Sequence, residues 1–138
     1  MTSSNPPVQV IAPVTTPAGP RWPRWVLRVT STVSAIMLFD QAVFAGQFLA
    51  GTYDALGVHR ENATYAGISV LVSAVAGVLA RWPGRGPWWP IAAHVGVFGL
   101  VALQIVLGFA RAITLHVPLG VATILLAATL AAWSWRAR

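Results

Sequence analysis

Residues 89–110 read WPIAAHVGVFGLVALQIVLGFA and contain no Asp, Glu, Lys or Arg. Crossing the ~30 Å hydrocarbon core of a bilayer takes about 20 helical residues, so the stretch is long enough to span it. Inside lipid its backbone must bond to itself, which makes it a helix. Three similar spans lie at about 29–52, 57–80 and 115–133. The chain has 138 residues, 57% of them hydrophobic and 9% charged, with mean hydropathy +0.69. A soluble domain carries roughly 25% charged residues. An all-α four-helix transmembrane bundle is therefore expected over 21–138. It follows a Pro-, Ser- and Thr-rich tail, residues 1–20, which has no charged side chain and reads as disordered.

The arginines set the expected topology. Arg21, Arg24 and Arg28 precede the first span, Arg81 and Arg85 join the second to the third, and Arg136 and Arg138 follow the fourth. Four crossings put all seven on one side, and the positive-inside rule makes that side the cytoplasm, with both termini. All seven Trp stand at the same edge, as interfacial anchors do. The other side holds Arg60 and Arg111 with Asp54 and Glu61. The net charge of +6 is thus a topology signal and not a nucleic-acid footprint. Every basic residue is Arg and none is Lys, which points to a high-GC bacterial genome and hence to a multi-pass protein of the bacterial plasma membrane.

The chain has no Cys, which excludes disulfides, thiolate metal sites, iron–sulfur clusters and a Cys nucleophile. Three acidic residues cannot supply paired carboxylates, and no Ser-His-Asp set or Gly-rich phosphate loop can be assembled.

Two stretches share the pattern Q-x3-G-x7-H: QFLAGTYDALGVH at 47–59 and QIVLGFARAITLH at 104–116. The spacing is 57 residues at Gln47/Gln104, Gly51/Gly108 and His59/His116. Gln and His are scarce here, with three His in the whole chain. The pattern predicts two hairpins in the same orientation, related by a pseudo-two-fold along the membrane normal. Such an axis turns His59 and His116 towards each other at similar depth, one or two turns into the outer leaflet. Two facing neutral imidazoles can hold one iron from opposite sides, as in b-type haem proteins. Gly51 and Gly108 would thin helices 1 and 3 beside a flat macrocycle. Gln47 and Gln104 share helix faces with them. Arg60 and Arg111, the only outer-side arginines, would meet the haem propionates, aided by the N-termini of helices 2 and 4. Thr114 is a candidate cap for helix 4, which would leave Pro118 in its first turn. Zinc fits less well, because no carboxylate-and-His cluster has the right spacing. The competing reading is that these His and Gln residues only make interhelical hydrogen bonds.

These residues resemble one half of the haem A synthase family, which has two four-helix halves, each with His on its second and fourth helices. His59–Arg60 and the run LQIVLGFARAITLHVPLGVATILLA look like the second and fourth helices of such a half. The chain is also similar to a family of small four-helix bacterial membrane proteins of unknown function, with a His-Arg pair before helix 2 and a Leu-His pair opening helix 4. The resemblance implies haem b held axially by His59 and His116. The synthase has a functional Glu three residues before the His-Arg of its first half, where this chain has Leu56. The second half is absent. Both departures argue against haem A synthesis, although a homodimer would rebuild two halves. The expected function is a haem-binding membrane protein for electron transfer or haem handling, working with a redox partner or within a larger membrane complex. The alternative is a cofactor-free structural or accessory subunit of such a complex.

Two further polar residues fall inside spans. Asp40 near the centre of helix 1 costs about 2.5–3.5 kcal/mol to insert and should face protein or water, either as a proton-relay group or bonded to a neighbouring helix. His94 on helix 3 and Met37, 57 residues earlier, could form a second haem site on the inner side.

Overall fold

A computed structural model describes residues 19–137. Four helices carry the chain: α1 Trp22–Leu49, α2 Ala55–Arg81, α3 Trp89–Phe109 and α4 Ile113–Arg136. All four are long and apolar enough to cross a membrane. The structure is therefore the all-α four-helix transmembrane bundle that the composition predicts. α1 begins seven residues before the apolar run. Pro23 in its first turn needs no intrahelical N–H bond, so the helix forms through Arg24 and Arg28 although their charge lowers local hydropathy. It also stops earlier than expected, at Leu49, and Gly51 turns the chain with φ of 100°.

Each helix packs its backbone closely against two others. α1 packs against α2 and α4, and α3 packs against the same two, so α1/α3 and α2/α4 form the diagonals of a square. α2 presents Ala66, Gly67, Val70, Ser73, Ala74 and Gly77 to its neighbours. Small residues there let backbones approach closely, the usual route to packing where lipid removes any hydrophobic drive between helices. A Cβ on Gly77 would stand 3.3 Å from Ile91 Cγ1 of α3.

The burial pattern repeats. On α2 and α4, Ala66, Val70, Ser73, Ala74 and Gly77 correspond to Thr123, Ala127, Leu130, Ala131 and Ser134, at the spacing of 57. On α1 and α3, Leu27, Ser31, Ser34 and Leu38 correspond to Pro90, His94, Val97 and Val101, at a spacing of 63. The hairpins thus repeat each other, but the first has the longer turn. This changes the partner of Gln104 from Gln47 to Gln41.

The bundle is layered along its length. At the arginine–tryptophan end, Arg28 donates from Nε to the Ser134 carbonyl at 3.0 Å and from Nη2 to the Ala137 carbonyl at 3.1 Å, capping the C-terminus of α4. The same guanidinium sits over the rings of Trp25 and Trp135. Deeper lies a polar layer. Ser31 Oγ is 3.1 Å from His94 Nε2, and Ser34 Oγ is 2.9 Å from Ser73 Oγ. An apolar layer of Leu38, Ala66, Val70, Val97, Val101 and Ala127 then separates this end from the histidine end.

Candidate functional site

One turn into α2 and one turn into α4, the rings of His59 and His116 face each other across a diagonal of the bundle. Their centroids are 6.2 Å apart and their planes are inclined at 67°. Each Nδ1 lies 3.0 Å from a backbone carbonyl oxygen, His59 from Gln41 and His116 from Gln104. A carbonyl only accepts, so each Nδ1 carries the hydrogen. In the neutral ring this leaves the Nε2 lone pair free. Neither Nε2 has a hydrogen-bonding partner among the described residues. A backbone carbonyl on the far ring nitrogen is the usual device that fixes the tautomer and orientation of a metal-ligating His.

The two halves differ in detail. Gln104 binds α4 twice, because its carbonyl receives the His116 ring and its Nε2 donates to the His116 carbonyl at 2.9 Å. Gly120 makes room for this clasp, since a Cβ there would lie 2.9 Å from Gln104 Nε2. Gly108 gives the His116 ring bare backbone to lie on, 3.4 Å from Cε1 to where a Cβ would be. Across the site, the position matching Gly120 is Ala63. Gln41 makes the backbone bond to His59 but no side-chain clasp. Its Nε2 is buried without a partner among the described residues, as is Oε1 of Gln104. A buried amide atom with no partner costs roughly 1–3 kcal/mol.

The other residues that the sequence nominates lie around this pair. Arg60 and Arg111 are exposed at the same end, with the Arg60 guanidinium 5.7 Å from the Phe109 ring centroid and Arg111 in a left-handed turn at φ 56°. Gln47 and Gly51 do not join the site. Gln47 is exposed on α1, and Gly51 lies in the turn beyond the helix with nothing within 4 Å of a would-be Cβ. Gln41 takes the place expected of Gln47. Thr114 makes no cap, because α4 starts at Ile113 with Ala112 at the N-cap position. Pro118 therefore lies inside the helix, beyond the first turn, and leaves the Thr114 carbonyl without its helical donor. At the other end both ring nitrogens of His94 are engaged, Nδ1 by the Pro90 carbonyl at 2.7 Å and Nε2 by Ser31, so this ring offers no free lone pair for a second site with Met37. Asp40 is half-buried and makes no hydrogen bond or ion pair among the described residues.

No family model, curated protein or solved structure matches the chain.

Proposed function

We propose that this is a b-type haem protein of the plasma membrane, with one haem held between His59 and His116 near the outer face. The observation that carries this reading is the pair of Nδ1-anchored rings with free Nε2 atoms. Metal–imidazole bonds of about 2.0–2.1 Å on opposite sides of one metal put two ring centroids roughly 6 Å apart. The 6.2 Å separation meets that requirement. No group of three or more His, Cys, Asp or Glu gathers among the described residues. A site with His59 and His116 as its two protein ligands would suit a metal carried in a macrocycle such as haem. A haem bound here would supply one-electron exchange. The chain's own residues hold Nδ1–H of each imidazole on a backbone carbonyl, keep the arginines Arg60 and Arg111 at the rim for the propionates, and place an apolar layer between the site and the other end.

The work assigned is electron transfer or haem handling at the outer surface, with the arginine–tryptophan end in the bacterial cytoplasm. The redox partner would dock at the histidine end. Haem A synthesis is not part of the proposal, because Leu56 stands where the synthase resembled has its Glu.

One observation favours the second reading, a cofactor-free accessory subunit. The Gln104–His116 clasp is also a good helix-to-helix tie. The two readings separate in one experiment, the haem content of protein purified from haem-sufficient cells. One haem per chain in the wild type, lost in the His59→Ala/His116→Ala double variant at equal yield, supports the haem protein. A folded, colourless wild type overturns it in favour of the subunit.

A further inference from the structure

We infer that the two imidazoles are not equivalent. His116 is the fixed ligand and His59 the exchangeable one, so that a small neutral diatomic ligand of the carbon monoxide class enters on the α2 side. The inference rests on the haem reading and deepens it.

Three features separate the rings. The His116 ring is tied to Gln104, whose side chain returns a second bond to the same residue. The His59 ring is tied to Gln41 by one bond only. The turn behind His116 is short, with the bonded partners 12 positions apart in sequence, whereas Gln41 and His59 are 18 apart. The sequences of the two helices differ here by one methyl group. Gly120 leaves space for the Gln104 amide at 2.9 Å, and Ala63 occupies the matching place on α2. The Gln41 Nε2 is a buried donor with no partner among the described residues, on the residue that already holds the His59 ring. A small ligand with lone pairs replacing His59 gains that donor, and nothing equivalent waits on the α4 side, where the orphaned atom is the acceptor Oε1.

The exchange is a substitution of one lone pair for another. His59 Nε2 would give up its bond to a bound ferrous haem as the carbon lone pair of carbon monoxide took its place, with no electron or proton moved. His59 stays neutral with Nδ1–H on the Gln41 carbonyl. Single hydrogen bonds between membrane helices span a range worth about three- to twenty-fold in such an equilibrium.

The test uses haem-loaded full-length protein, reduced and titrated with carbon monoxide. Ala63→Gly opens room for a Gln41 clasp and is expected to weaken carbon monoxide binding about three- to twenty-fold. Gly120→Ala, which pushes a methyl against Gln104, should strengthen it. His59→Ala is expected to keep a five-coordinate haem that binds carbon monoxide without displacement, while His116→Ala loses the haem. Unchanged carbon monoxide affinity in both Ala63→Gly and Gly120→Ala, or equal haem loss in the two His variants, overturns the inference. Imidazole ¹³Cε1 relaxation in haem-free protein gives an independent arm, with the His59 ring expected to be the more mobile. Equal mobility of the two rings overturns the asymmetry alone. A wild type that takes up no haem overturns the reading beneath it, and the exchange with it.

Discussion

The α1–α2 hairpin and the α3–α4 hairpin bury matching positions and deliver matching imidazoles, yet they hold them differently. In α3–α4 the Gln104 side chain donates to the His116 carbonyl and the His116 ring donates to the Gln104 carbonyl, and Gly120 gives the amide its space. In α1–α2 the ring bond survives and the amide bond does not. The comparison separates what the repeat needs from what it tolerates. Both copies keep a backbone carbonyl on Nδ1, which sets the tautomer. Only one keeps the tie that stiffens the pair of helices.

Substitutions can break this contrast, and the largest effect is expected at Gly120. Gly120→Ala overpacks the clasp and should cost about 1–3 kcal/mol in denaturant unfolding from mixed micelles. The matching exchange, Ala63→Gly, should cost no more than the usual ~1 kcal/mol for Gly in a helix. Next come the two amides. Gln104→Leu removes an interhelical bond and should destabilise by about 0.6–1.7 kcal/mol. Gln41→Leu removes a buried donor that has no partner, so the same unfolding assay should find the haem-free protein unchanged or more stable. Equal losses in the two Leu variants would erase the contrast. Ser31→Ala, at the far end, strips His94 Nε2 of its partner and should cost about 0.6 kcal/mol, with the haem spectrum of the His59–His116 pair unmoved. The smallest effect belongs to Gln47→Ala. The side chain is exposed, and stability and haem content should stay within about 0.5 kcal/mol and experimental error of the wild type.

The four spans are legible in the sequence because lipid permits little else for long apolar stretches. The His pair is legible for a different reason, since two scarce residues recur at one spacing. That spacing of 57 holds along the whole of α2 and α4, from His59/His116 to Gly77/Ser134. Extending it to α1 and α3 selects Gln47 and Gly51, whereas the buried faces there match at 63. The true correspondence is hard to see because it aligns unlike residues, Ser31 with His94 and Ser34 with Val97. The signal that could have found it is the apolar and small-residue stripe Leu27, Ser31, Ser34 and Leu38, read by burial and not by identity. The start of α4 was obscured by Thr114, a good capping residue one position inside a helix that has no side-chain cap. No sequence pattern reveals the orphaned amide atoms of Gln41 and Gln104, which depend on side-chain placement at the helix contacts.

The central claim is that one imidazole from each hairpin shares one iron. Its most direct test is the low-temperature electron paramagnetic resonance spectrum of the oxidised, haem-loaded protein. The account predicts a low-spin signal from an iron with two axial imidazoles, replaced by a high-spin signal in His59→Ala. A high-spin wild type, or a low-spin signal that survives both His59→Ala and His116→Ala, would contradict it.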